Sequence, residues 1–532
     1  MGLLISAELL LNPVLNFIVK PKLTENVNDR NYHLRIEKLS YSLFTNSLSA
    51  ENIFYTWNDS SLSSIDSSAI LIRKASAKGI SLFGLIFSSR LNVLELELFK
   101  PEYKIFSLNE SEGTRNKSGK KRNDSLSIIY KSLYRSIPDR IKPFKINKVE
   151  IIDAGFIKTG KGKNIKPFSI KSFNAGIKDL SIKSLEKTDS LTLMFCEDIN
   201  ISSGKISFSD SKEKYNGSIK SINFSSADSI LILNSFSFIP ILPDSEFFNG
   251  DKYRQDRWKV YISQLKCDGI DLSKFIWDNF IEVQNIRLDA QFLDILTNMR
   301  LNISPDFDPK MPNEIISEMS LDLNIRKVTL NIDSIVVRES WPYSRQPSRL
   351  PFTKVRGTLQ NISGLKEYQT RESPAVINAS ARIAGAGLLT INMKVPLLAE
   401  GTDFSYSGFL GTMETDPLND HLIISDLVEV TSGKIDSVIF KVQSKNGIVS
   451  ANVVPFYKDL TIRSINESTM KGGGLMPSIA TFIGNVFKIR NANSAETGTE
   501  TGRIIYVQKK TDVFLDVVWV PLKTALGRVV GF

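Results

Sequence analysis

YHLRIEKLSYSLFTNSLSAENIFYTW, residues 32–57, places Leu34, Ile36, Leu39 and Tyr41 at close to every second position. That is the spacing of a half-buried strand. The same texture recurs in 91–106, 144–158, 198–208, 218–240, 319–338, 376–397, 404–412, 426–442 and 448–464. Many such strands between short polar turns predict an all-β sandwich, barrel or solenoid. Helical spacing appears in 126–137, with Leu126, Ile129, Tyr130, Leu133 and Ile137 on one face, and in 476–489, with Ile479, Phe482, Ile483 and Val486. The polar, aperiodic stretches 107–125 and 491–503 read as loops.

An internal repeat sets the larger organisation. GISLFGLIFSSRLNVLELELFKPEYKI from Gly79 aligns without gaps with GIDLSKFIWDNFIEVQNIRLDAQFLDI from Gly269. Ile80 meets Ile270, Leu91 meets Ile281, Val93 meets Val283 and Leu98 meets Leu288. Each copy reads as strand, glycine, short helix capped by Ser81 or Asp271, then strand. Two such units favour an elongated, repetitive sheet over a compact globule. Chance matching of apolar residues is the competing explanation.

Residues 2–19, GLLISAELLLNPVLNFIV, form an apolar run of about the length a bilayer core requires. The candidate anchor residues are Leu3, Leu4, Ile5, Leu9, Leu10, Leu11, Val14, Leu15, Phe17 and Ile18. Glu8 is costly in lipid, and Pro13 would kink the helix. Positive charge begins only at Lys20 and Lys22. A cleaved signal peptide is a rival reading that lacks a basic leader and an A-x-A site. A buried amphipathic helix is the third. An anchor is expected.

Composition narrows the function. Hydrophobic residues make up 42% of the 532, too many for a disordered chain, and a mean hydropathy of −0.08 excludes a polytopic membrane protein. The net charge of +10 suits anionic surfaces, but the basic residues are scattered, as on a solvated surface. His33 and His421 are the only histidines, and Cys196 and Cys267 the only cysteines. That scarcity weakens metal and general-base chemistry. The cysteines read as buried small hydrophobes, with pairing open in an oxidising compartment.

Known motifs fail on specific residues. GFIKTGKG from Gly155 nearly spells a phosphate loop, but Gly162 stands where Ser or Thr must hold magnesium, and Pro167 follows. Asp306, Asp308 and Glu314 suggest a calcium loop, yet Met311 replaces its glycine and Ser317 its bidentate glutamate. The basic cluster Lys117, Lys120, Lys121, Arg122 lacks interleaved aromatics, so no nucleic-acid partner is expected. The chain is expected not to be an enzyme and to need no cofactor. An apolar sheet face must still be covered, by a second sheet, by helices, or by acyl chains in a trough.

Three stretches resemble the AsmA-like family of envelope proteins, related to TamB and more remotely to bridge-like lipid transfer proteins. They are the opening helix with 11–23 and the strands after it, SLYRSIPDRIKPFKINKVEIIDAGFI (132–157), and 404–465. In the last, the marks are Gly408, Met413 to Leu418, the Ser432-Gly433-Lys434-Ile435 turn and Tyr457-Lys458-Asp459-Leu460. The resemblance covers most of the chain through patterns and short turns. It implies a mainly β fold: an elongated, curved antiparallel β-sheet groove with a few short helices and an N-terminal membrane helix. It further implies an inner-membrane anchor with the bulk in the periplasm, carriage of phospholipid, and support of outer-membrane biogenesis, alone or with outer-membrane assembly proteins. The family has no catalytic residues to carry over.

The domains expected are an anchor at 1–20, a β-groove at 21–300, a C-terminal β module at 301–490, and a linker with terminal strands and a short helix at 491–532. Candidate groove-lining residues are Leu34, Ile36, Leu91, Val93, Ile281, Val283, Ile391, Met393 and Val395. The alternatives are a secreted β-solenoid binding or acting on polysaccharide, and a structural assembly factor for outer-membrane proteins. After Pro521, Leu522, Ala525, Leu526 and Val529 form an apolar stripe, read as packing under the last sheet.

Overall fold

The computed structural model describes residues 10–28, 32–59, 66–80, 92–107, 144–160, 167–182, 196–210, 214–278, 280–319, 321–399, 401–470 and 490–531. The helices expected at 126–137 and 476–489 lie outside them. So do the loop 108–125, the anchor candidates Leu3, Leu4, Ile5 and Leu9, and Leu91. The chain is mainly β and divides into two compact units, Met1–Ile241 with Lys266–Glu282, and Leu242–Leu265 with Val283–Phe532.

The first unit holds β1 (Tyr32–Ser42), β2 (Ser47–Asp59), β3 (Asp66–Lys78), β4 (Asn92–Ser107), β5 (Phe144–Gly160), β6 (Phe168–Ile182), β7 (Asp198–Ser203), β8 (Ile206–Ser209), β9 (Tyr215–Ser225) and β10 (Ile230–Pro240). Neighbours in sequence pair antiparallel from β1 to β4 and from β5 to β6. The short β7 and β8 both sit between β6 and β9, which pairs with β10. One pairing corrects the antiparallel expectation: β4 and β5 run parallel, Leu98 beside Ile151. Parallel neighbours need a crossover of a dozen residues or more, and 108–143 is long enough to supply it.

The strands β11 (Asp256–Ile270) and β12 (Phe280–Asn298) follow, with the helix Leu272–Asp278 between them. Here the repeat has a structural counterpart. Gly79 and Gly269 both adopt left-handed backbone, at φ 75° and 68°. The next residue in each copy donates its N–H to a carbonyl in a hairpin turn, Ile80 to Asn46 and Ile270 to Ser229. Asp271 caps the second copy's helix, its Oδ1 accepting from Lys274 N at 3.0 Å.

The N-terminal membrane helix finds no support among the described residues, which begin at residue 10. No helix among the described residues is long and apolar enough to cross a membrane. Helical backbone from residue 10 runs on past Val19 into Lys20–Val27, and its polar side chains bind β1. Asn12 Oδ1 accepts from Tyr41 N at 2.7 Å. Asn16 Oδ1 accepts from Leu39 N at 2.9 Å, and its Nδ2 donates to Leu39 O at 2.6 Å. Two asparagines four residues apart thus serve the backbone groups that β2 leaves open on β1. Leu10, Val14, Phe17 and Ile18 are exposed, while Leu11 and Leu15 are half-buried.

The second unit continues with β13 (Asp322–Ser340), β14 (Ser348–Ser363), β15 (Ala375–Ile383), β16 (Gly387–Val395), β17 (Phe404–Leu410), β18 (Met413–Glu414), β19 (Val428–Lys445), β20 (Ile448–Ser464) and β21 (Gly502–Val507). These pair antiparallel in sequence order, with β17 and β18 both lying against β19. The turn expected at 432–435 is a bulged stretch inside β19, where the register with β20 shifts on both sides of Ser432.

Another correction concerns the C-terminus. The β-branched run Val517, Val518, Val520 reads as strand, but Phe514–Val530 is one helix that contains Pro521. Packing decides against local preference here. Val517 and Ala525 are wholly buried against β20 and its neighbours, and Asp516 closes the first turn by accepting from Val513 N at 3.1 Å. Gly502 permits the approach, since a Cβ there would lie 1.9 Å from Ala525 O. The stripe Leu522, Ala525, Leu526 and Val529 faces this core.

Candidate functional site

Cross-strand register in the first unit assembles apolar rows that no single strand reveals. One runs Leu34, Tyr55, Ile70, Tyr103, Phe156, Ile170, Ile206, Ile219, Phe236 across nine strands. A second runs Leu39, Ala50, Ala75, Leu98, Ile151, Ala175, Ile201, Phe224, Leu231. Tyr103 meets Phe156 edge-on, with centroids 5.4 Å apart. Most members are half-buried; Leu39 and Ile206 are buried.

A crease keeps both rows on one face. Between them the apolar spacing steps from two residues to three, as from Ile36 to Leu39, Leu98 to Pro101 and Leu233 to Phe236. At or beside each step stands a non-glycine residue in left-handed backbone, namely Asn52, Lys100, Asp153, Ser172 and Ser235. The pairing skips Asn52 and Ser235 and shifts after Ile151. Without the extra residue, each strand would turn its second half to the opposite face.

The expected lining residues separate by unit. Leu34 and Ile36 sit half-buried on the first unit's apolar face. Val93 is buried nearby with Ile80, Ile146 and Val149. Ile281 is half-buried in the first unit, and Val283 is buried in the second. Ile391, Met393 and Val395 belong to the second unit's core together with Phe440, Val442, Val453, Val517 and Ala525, so the C-terminal helix closes that stretch. Tyr55, Ile70, Phe156 and Phe236 were missed. Their signal was the three-residue step, which breaks a period-two count.

The opposite faces differ in charge. On the first unit, cations meet acids: Lys78 lies 2.7 Å from Glu95, Lys148 2.7 Å from Glu150, Lys145 2.6 Å from Asp179 and Lys100 3.4 Å from Asp153. The carboxylates of Glu95, Glu97 and Glu150 lie within 4.8 Å of one another. Lys78 and Lys148 already occupy the positions a cation would take. The hydrogen bond from Lys78 holds the Glu95 carboxyl below its ordinary value and lifts the lysine. Burial raises both cysteine thiols, that of Cys196 to about 11.

On the second unit a polar row crosses eight strands: Thr329, Thr358, Asn378, Asn392, Ser407, Lys441, Asn452, Arg503. Beside it run Asn331, Arg356, Ser380, Thr390, Phe409 and Ile439. All of these except Asn452 and Arg503 line an open trough of about 890 Å³. No protein-family profile matches the chain, and no curated protein matches it.

Proposed function

We propose that the first unit binds the acyl chains of a phospholipid along its apolar face. The observation that carries this is the pair of nine-strand apolar rows, held on one side by the crease and largely half-buried. Such rows leave methyl, methylene and ring surface to be covered, and each buried methylene of a ligand is worth about 0.8 kcal/mol. Nine strands at about 4.8 Å spacing make a row roughly 38 Å long, more than the ~30 Å of a bilayer's hydrocarbon core. The AsmA-like resemblance supports the same reading and adds the cell envelope, carriage between membranes and outer-membrane biogenesis. The exposed residues Leu10, Val14, Phe17 and Ile18 beside Lys20 suit contact with a membrane surface.

The test is native mass spectrometry of the full chain purified in mild detergent. Bound phospholipid is expected, and Tyr55→Asp with Ile70→Asp should cut its occupancy about tenfold by placing charge in the row. Protein without lipid, in wild type and after incubation with phospholipid vesicles, would sink the reading.

A further inference from the structure

The second unit's polar face differs from the first unit's in carrying more cations than acids; Arg356 has Asp289 within electrostatic reach. Lys327, Arg356, Arg382, Lys394, Lys441 and Arg503 all project from it by strand register, and all are exposed. β14, β15, β16, β17 and β21 contain no acidic residue. The ion pairs among this unit's described residues lie elsewhere, as with Arg463 and Glu429 or Arg490 and Glu500. Asp333 is the acid on the same face of β13. At the trough's border, Asp289 accepts from Asn331 Nδ2 at 2.7 Å and pairs with Arg287 at 2.9 Å. A concave surface with this excess concentrates anions.

Its other side chains narrow the ligand. Asn378, Asn392, Thr390 and Ser407 offer amides and hydroxyls on neighbouring strands, about 4.8 Å apart, close to the length of a sugar ring. Asn392 Nδ2 donates to Asn378 Oδ1 at 2.5 Å, which orients both amides. A single-stranded nucleic acid would want a series of stacking rings, and Phe409 and Phe440 are the aromatics lining the trough, the latter part of the core. A bilayer surface is flat where this site is concave. We propose that the trough binds an acidic polysaccharide, its hydroxyls meeting the amide and hydroxyl side chains and its carboxylates meeting Arg356 and Lys441.

The experiment titrates the full chain with polygalacturonate, using dextran as the neutral control and poly(U) RNA and phosphatidylglycerol vesicles as rival anions. Polygalacturonate should bind at low salt and weaken steeply as salt rises, and R356Q/K441Q should lower affinity about tenfold. N378A/N392A should cost about fivefold while leaving the salt dependence unchanged, because it removes hydrogen bonds and no charge. K148Q/K178Q, on the first unit, should leave affinity unchanged. The proposal is overturned if polygalacturonate fails to bind, if dextran binds equally well, or if R356Q/K441Q binds like wild type. Tighter binding of poly(U) or of the vesicles through the same two residues overturns it too. None of these results bears on whether phospholipid co-purifies, so the acyl-chain reading stands or falls separately.

Discussion

In the second unit Val442, Val449 and Val453 are wholly buried beneath the helix Phe514–Val530. In the first unit the corresponding cross-strand rows stay largely half-buried among the described residues. Both units use the same device, a long sheet with one apolar face, and differ in what meets that face. The polar faces differ in parallel, with lysines and glutamates paired on the first and cations in excess on the second. On the readings proposed above, one unit commits its apolar side to its own chain and its polar side to a ligand, and the other the reverse. Strand pattern alone does not distinguish these uses, because both units alternate apolar and polar residues.

Removing the helix should collapse the difference and have the largest effect. Its residues Val517, Pro521, Ala525, Val529 and Val530 are buried, and at about 1.5–3 kcal/mol for each large apolar side chain their loss amounts to roughly 8 kcal/mol. That rivals the whole stability of an ordinary domain, about 5–15 kcal/mol. A chain ending before Phe514 should lose hydrogen-exchange protection throughout β20 and bind a hydrophobic dye, while β2 and β3 keep their protection. Retained protection in β20 would mean that the helix is an accessory and the comparison is misdrawn.

A matched pair of truncations sharpens the contrast at smaller scale. Phe440 is 3% exposed, so Phe440→Ala should cost about 3–5 kcal/mol, transfer and cavity terms together. Phe236 ends a half-buried row, and Phe236→Ala should cost roughly half as much, since less surface leaves water on folding. The opening free energies of neighbouring amides, from native-state hydrogen exchange, report each cost within its own unit. Equal costs would show that the first unit's row is as fully enclosed as the second unit's core.

Much of the fold was legible in the sequence. Alternation in 32–57 and 448–464 gave strands, and the glycines of the repeat marked equivalent left-handed positions. Other features depended on information no local window holds. The parallel β4–β5 pair follows from strand direction after a long crossover. The terminal helix overrides a β-branched run because its valines find a sheet to pack on. Lining residues chosen by alternation, Met393 and Val395 among them, were apolar for the right reason but in the unit whose face is closed. The cationic trough was hidden because scattered lysines and arginines become a patch only when register aligns Arg356, Lys441 and Arg503 on one face. Asn12 and Asn16 escaped notice because an apolar run draws attention to its apolar members.

The last contrast lies in acid response. His421 sits in the second unit, in the helix Asn419–Ser425, with Nδ1 buried and without a hydrogen-bond partner. Burial pushes its imidazole below the ordinary value near 6.5 and outweighs the opposing pull of Glu339 and Asp426; Lys523 adds to the depression. The folded chain therefore refuses a proton that the unfolded chain accepts once pH falls below about 6.5. Stability from the neutral imidazole is complete above that pH and declines below it, with a slope no steeper than about 1.4 kcal/mol per pH unit for one proton. The chain's other histidine, His33 in the first unit, is exposed. Hydrogen exchange at pH 7.5 and 5.5, corrected for intrinsic rates, should show β14 and β19, which pack beside this helix, loosening in acid. His421→Gln should flatten that response without altering the first unit. If the variant loosens in acid as much as wild type, the response belongs to other groups, and the second unit's closed core owes nothing to a neutral His421.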